Sequence, residues 1–130
     1  MSPREILKRE FDAEDGSFLI RARSELTWDG AAFRRLTSAM FDVASEDRGK
    51  PSIETWIASG FWFIDTWIGD WTGHPHFPRP PEAEHGEAIQ LIHDLCFYLF
   101  IGESPYQGDL LRKKAKGEQD ATSNGGNAPV

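Results

Sequence analysis

Apolar residues recur at helical spacing through three stretches of this 130-residue chain, and those stretches define its middle. After Asp29, the residues Phe33, Leu36, Met40, Val43 and Ala44 fall every three or four positions, with Arg34, Arg35, Asp42 and Glu46 on the other side. This spacing predicts an amphipathic helix capped by Asp29 and ended by Arg48-Gly49-Lys50-Pro51. In the second stretch, a turn of roughly 100° per residue gathers Trp56, Ile57, Gly60, Phe61, Ile64, Trp67, Ile68 and Trp71 on one face. Ser59, Asp65, Thr66 and Asp70 take the opposite side, with Ser52 as the expected cap and Gly73 as the stop. Gly60 stands in the middle of the apolar face, where a missing side chain lets another helix come close. Trp62 falls among Ala58, Thr66 and Gly69 on the polar side. The stripe does not account for it, and buried and exposed readings both stand.

The third stretch predicts a helix from about Glu82 to Ile101, with Ala88, Leu91, Ile92, Leu95 and Leu99 inward and Gly102 and Pro105 as terminators. Its end, CFYLFI, is apolar on nearly every side, which implies contact on more than one face. The connection HPHFPRPP before it holds four prolines and reads as extended. Upstream, Glu5 to Phe11 opens a short helix, while Phe18 to Leu26 fits an alternating strand or a helix started by Ser17. Helix is favoured there, because nothing downstream offers a partner strand. From Arg112 the chain reads RKKAKGEQDATSNGGNAPV, with almost nothing to bury. The expectation is therefore all-α: a compact bundle of about four helices in one domain, residues 1–108, and a disordered tail, 109–130.

Charge narrows the functional classes more than composition does. The net charge is -7, and residues 51–106 carry all of that excess, with Arg79 alone against Glu54, Asp65, Asp70, Glu82, Glu84, Glu87, Asp94 and Glu103. Four of the five tryptophans lie in the same region, between Trp56 and Trp71. An acidic region of this kind repels phosphate backbones, so nucleic-acid binding is not expected, whereas a basic protein would be attracted. No run approaches the roughly 18 apolar residues of a membrane span, and the charged N-terminus does not read as a signal peptide. The lone Cys96, set in LCFYLF, has no disulfide partner and reads as core. Together these predict a soluble, cytoplasmic protein.

Candidate chemistry is sparse. All four histidines, His74, His76, His85 and His93, lie within twenty residues, and Glu82 with His85 makes an E-x-x-H pair at one-turn spacing. Helical di-iron sites use such pairs twice, and the chain has no second copy. A zinc site drawn from His74, His76, Glu82 and His85 is the alternative that this cluster offers. No serine sits in a nucleophile motif, and Asp65 and Asp70 point roughly 140° apart on a helix. No glycine-rich turn has the setting of a phosphate cradle. Neither a catalytic set nor a cofactor is expected.

The size, the Trp28-Asp29 helix opening, Gly60-Phe61-Trp62, Asp70-Trp71-Thr72 and Gly102-Glu-Ser-Pro-Tyr106 resemble the small acidic immunity-protein families of bacterial polymorphic toxin systems. The resemblance implies a protein that binds and blocks a cognate toxin, often a basic nuclease, with no catalytic residues to carry over. On this reading the acidic, tryptophan-rich half docks on a basic partner. Asp65, Asp70, Glu82, Glu84 and Glu87 would supply the charge, and Trp62 with Phe77 or Tyr106 the anchor. Two other classes remain: a metal-binding or metal-dependent helical bundle built on the histidine cluster, and a subunit whose exposed apolar surface makes a homo-oligomer.

Overall fold

A computed structural model describes residues 1–118, all of whose regular elements are helical. They are α1 (Pro3–Phe11), α2 (Phe18–Ser24), α3 (Gly30–Asp47), α4 (Thr55–Thr72), α5 (Glu82–Ile101) and α6 (Leu110–Lys116). Six helices stand where about four were expected. Local chemistry starts half of them: the side chains of Ser2, Ser17 and Asp29 accept the amide protons of Glu5, Ile20 and Ala32 at the N-termini of α1, α2 and α3. The ambiguous segment after Ser17 is thus a helix. For α4 the N-cap is Glu54 rather than Ser52, and no side chain caps that end. Gly102, at φ +90°, closes α5 in the left-handed conformation expected of a terminating glycine.

Helix α3 is the hub, packed against α1, α2, α5 and α6. Its Leu36, Met40, Val43 and Ala44 are fully buried, as the spacing predicts. Two buried carboxylates tie α1 to this hub. Glu10 accepts the Phe18 amide proton at 3.0 Å and the Arg35 guanidinium at 2.8 Å, and Asp47 takes the Arg4 guanidinium. Helix α4 runs antiparallel to α5, since Thr72 meets His85, Asp65 meets His93 and the Phe61 carbonyl meets Cys96.

Gly60 does what its position implied. A Cβ built on it would lie 2.1 Å from the Phe11 ring, which also packs edge-on against Phe61 and Trp56. Ile57, Phe61, Ile64 and Ile68 are fully buried beneath. Trp56, Trp67 and Trp71 are half-buried at the margin of the core, where Trp67 stacks on Trp71 at 5.7 Å and Trp71 donates its indole proton to the Ala22 carbonyl.

The C-terminal expectation needs correction. Residues 110–116, placed in a disordered tail because the stretch offers almost nothing to bury, form α6, with Leu111 and Ala115 buried four residues apart. Helix α3 also satisfies the last turn of α6: Arg34 donates to the Lys114 and Ala115 carbonyls, and Thr37 donates to Ala115. These are acceptors that a helix C-terminus would otherwise leave unpaired. Residues 119–130, the rest of the predicted tail, lie outside the described residues.

Two glycines in α4 should respond oppositely to the same change. Gly60→Ala forces the Phe11 ring aside and should cost about 1–3 kcal/mol. At Gly69 a new Cβ meets nothing within 4 Å, so Gly69→Ala should stabilise the helix by about 0.5–1 kcal/mol. Urea denaturation of both variants checks the pair. The Arg4 hydrogen bond holds the Asp47 carboxyl below its usual range, outweighing the desolvation that acts the other way. The stability this adds is present above about pH 4 and is lost as pH falls below that value. Urea midpoints between neutral pH and about pH 3 should therefore fall less in Asp47→Asn than in the wild type.

Candidate functional site

The antiparallel pairing of α4 and α5 sorts the predicted site residues into two zones. At one end the C-terminal half of α4 lies beside the N-terminal half of α5, bringing Asp70, Glu82, Glu84 and Glu87 to the same part of the molecule. All four are exposed, and none takes part in an ion pair among the described residues. At the other end the middle of α4 lies beside the C-terminal half of α5, and exposed apolar side chains dominate: Trp62 at 65%, Phe63 at 44%, Phe97 at 39%, Phe100 at 47% and Ile101 at 61%. Eight residues, about 12 Å of helix, separate Trp62 from Asp70. Between the zones Asp65 faces His93 at 3.4 Å.

The acidic group is itself divided around α5. Glu84 and Glu87 turn toward α3 and α6, where they line a cleft of about 370 Å³. Trp28 and Phe33 form its aromatic side, and Arg34, Lys113 and Lys114 its basic side. On its wall a buried Asp94 is hydrogen-bonded by Gln90 through one oxygen and by the Tyr106 hydroxyl through the other. That bond, with burial adding to it, pushes the Tyr106 phenol up to about 12. The ring of Tyr106 lies 5.4 Å beneath the Lys114 ammonium. Tyr106 is therefore committed within the fold and stands apart from Trp62.

Phe77, named as an anchor beside Trp62, is buried. The proline-rich connection folds back through a turn in which the Phe77 amide donates to the His74 carbonyl, and the ring joins the hydrophobic core. Of the three expected anchors only Trp62 is free for a partner. Phe63, Phe97, Phe100 and Ile101 were not singled out in the sequence. The all-round apolarity of CFYLFI was the signal for three of them. By helical angle Phe63 belongs with Trp56 and Trp67, yet the short α1 and α2 leave it uncovered.

The histidine cluster does not assemble. Among the described residues no three His, Cys, Asp or Glu side chains come together as a metal-binding group. His74 Nδ1 accepts the His76 amide proton, while His85 Nε2 lies 2.8 Å from the Thr72 hydroxyl, 13 residues away across the α4–α5 seam. Thr72 is also 2.6 Å from the Ile68 carbonyl. Its single proton goes to that carbonyl, which makes His85 the donor through Nε2. Burial, with Arg79 nearby, lowers the His85 pKa and keeps the ring neutral. Cys96 donates to the Phe61 carbonyl, and its burial drives the thiol pKa far up, away from a reactive thiolate. No helix among the described residues is long and apolar enough to cross a membrane.

No family model, curated protein or solved structure matches the chain.

Asp94→Asn removes the charge that restrains Tyr106 and should bring its ionisation down toward the ordinary value of about 10. Absorbance titration of tyrosinate follows this directly. Identical curves for wild type and variant would contradict the Tyr106–Asp94 pairing.

Proposed function

We propose that the chain is a non-catalytic binding protein that engages a basic protein partner through the acidic end of the α4–α5 pair, as an immunity protein covers its toxin. One observation carries the reading: Asp70, Glu82, Glu84 and Glu87 are exposed around that end and none is ion-paired among the described residues, although Arg34, Lys113 and Lys114 stand on the other side of the cleft that Glu84 and Glu87 line. Surface carboxylates left in this state raise the negative potential over their end of the molecule and speed the approach of a cationic surface. The cleft beside Glu84 and Glu87, with its Trp28 and Phe33 side, offers a concave seat for a protruding partner side chain. Asp65 contributes less, since it faces His93.

Further support lies in what the other polar groups are doing. Thr72, His85 and Cys96 are each hydrogen-bonded inside the fold, and on the cleft wall Asp94 and Tyr106 are bonded to one another. The apolar zone around Trp62 is a separate surface and is not required for electrostatic docking.

The test begins with affinity capture from the source cell, followed by association kinetics with the recovered partner. The wild-type on-rate should fall steeply between low and physiological salt, because screening shortens the reach of exposed charges to about 8–10 Å. At low salt the double variant Glu84→Lys/Glu87→Lys should slow association by about tenfold or more. On-rates unaffected by both salt and charge reversal would overturn the proposal.

A further inference from the structure

The cleft between α3, α5 and α6 carries both signs of charge on its walls, and most of those charges are already engaged. On the basic wall Arg34 donates to the Lys114 and Ala115 carbonyls, and Lys113 pairs with Asp109 at 3.5 Å. On the acidic wall Asp94 accepts from Gln90 and Tyr106, while Glu118 at the rim takes Arg112 at 2.9 Å. What remains is Lys114 on one side, its ammonium 5.4 Å from the centre of the Tyr106 ring, and Glu84 with Glu87 on the other. The two carboxylates lie three residues apart on α5 and so are neighbours on one face. Neither they nor Lys114 form an ion pair among the described residues. Opposite charges thus stand across an open cleft without meeting.

Between them the lining is apolar, made by Trp28, Phe33, Ala88 and Leu91. Trp28 is half-buried and fixed by the rings around it, Phe18 at 5.1 Å, Phe33 at 5.2 Å and His85 at 5.6 Å. A wall held this way costs a ligand nothing to order. A pure cation entering the cleft would meet Lys114, and a pure anion would meet Glu84 and Glu87. A ligand with both charges and an apolar stem between them is attracted at both ends. Its length follows from the volume: a ligand-sized space of 370 Å³ is about 7 Å across if it is as wide as it is deep. The extended side chain of lysine or arginine places its cation roughly 7 Å from its own α-carboxylate. In glycine the two charges flank a single carbon and reach only one wall. A charged α-amino group would also be repelled by Lys114. These requirements describe the last residue of a polypeptide that ends in lysine or arginine. Its α-nitrogen is an uncharged amide, its carboxylate is free, and its stem is aliphatic.

We propose that the cleft receives the C-terminal basic residue of a polypeptide, with Lys114 on the α-carboxylate, Glu84 and Glu87 on the side-chain cation, and Trp28 along the stem. The proposal rests on the reading that a basic protein docks at this end, and it names the part of that partner which enters the cleft. An internal lysine or arginine lacks the carboxylate, so Lys114 is the residue that selects a chain end.

Nuclear magnetic resonance titration of the isotope-labelled full chain with Nα-acetyl-L-lysine, at low salt and up to about 10 mM, tests this directly. Amide signals of residues 28–34, 84–91 and 113–117, with the Trp28 indole proton, should shift with a dissociation constant of about 1 mM or below. Nα-acetyl-L-lysine amide, which lacks the carboxylate, and hexanoate, which lacks the cation, should each bind at least tenfold more weakly. A peptide ending in lysine should behave like the acid, and the same peptide with a C-terminal amide like the amide. Lys114→Gln should weaken the acid at least tenfold and leave the amide unaffected, a split that a structural role would not produce. Glu84→Gln/Glu87→Gln should weaken both. Because Lys114→Gln removes a cation, it should leave the on-rate of a basic partner unchanged or faster. No shift in the cleft at about 10 mM, or equal affinity for acid and amide, would overturn the proposal even where docking stays steeply salt-dependent. Tighter binding of free L-lysine than of its acetylated form would overturn the assignment to a chain end. A probe that binds while docking ignores salt would instead overturn the electrostatic reading and leave the cleft's ligand standing.

Discussion

Much of this molecule turns on the way Phe11 of α1 sits over Gly60 of α4. The ring occupies the space where any other residue would carry its Cβ, and it holds α4 at one rotation about its own axis. With that rotation set, Ile57, Phe61, Ile64 and Ile68 face the core, Trp56, Trp67 and Trp71 lie along its margin, and Trp62 and Phe63 face outward. A helix turned by one residue, roughly 100°, would bury a different set and expose others. Helix α1 is itself held by Arg4 on Asp47 and by Glu10, which accepts from both α2 and α3. Trp62 thus projects away from the contacts that hold α4, while Phe63 borders the same groove as Phe11 and Gly60.

The separation of charge from apolar surface follows from topology. Because α4 and α5 are antiparallel, the acidic beginning of α5 meets the end of α4, and the apolar end of α5 meets the first turns of α4. One continuous stretch of sequence that is both aromatic and acidic therefore yields two neighbouring zones with different physics. Long-range, salt-sensitive attraction belongs to one, and short-range burial to the other.

The main helices were legible because their patterns were strong. Asp29 and the Phe33–Ala44 spacing marked α3, the tryptophan stripe marked α4, and Gly102 marked the end of α5. Even the need for a close neighbour at Gly60 could be read, though not that an aromatic ring from the first helix would supply it. Other features could not be read, for physical reasons. In α6 only Leu111 and Ala115 are buried, amid Arg112, Lys113, Lys114 and Lys116, so charge masked a two-residue apolar stripe. Its stability comes from α3, through Arg34 and Thr37, some 80 residues away. Phe77 sits between prolines in a segment with no periodicity, and only tertiary folding decides that its ring turns inward. The division of Glu84 and Glu87 from Trp62 depends on the antiparallel pairing, which residue spacing within one helix cannot convey.

The most direct measurement is the proton NMR contact between α1 and α4. If Phe11 covers Gly60 as described, nuclear Overhauser spectra of the native protein contain strong cross-peaks from the Phe11 ring protons to both Gly60 α-protons, and ring-current shielding moves at least one of those α-protons well upfield. Gly60 α-protons at ordinary shifts, with no cross-peak to Phe11, would mean that α4 lies at another rotation. The exposed face built on it would then be wrong.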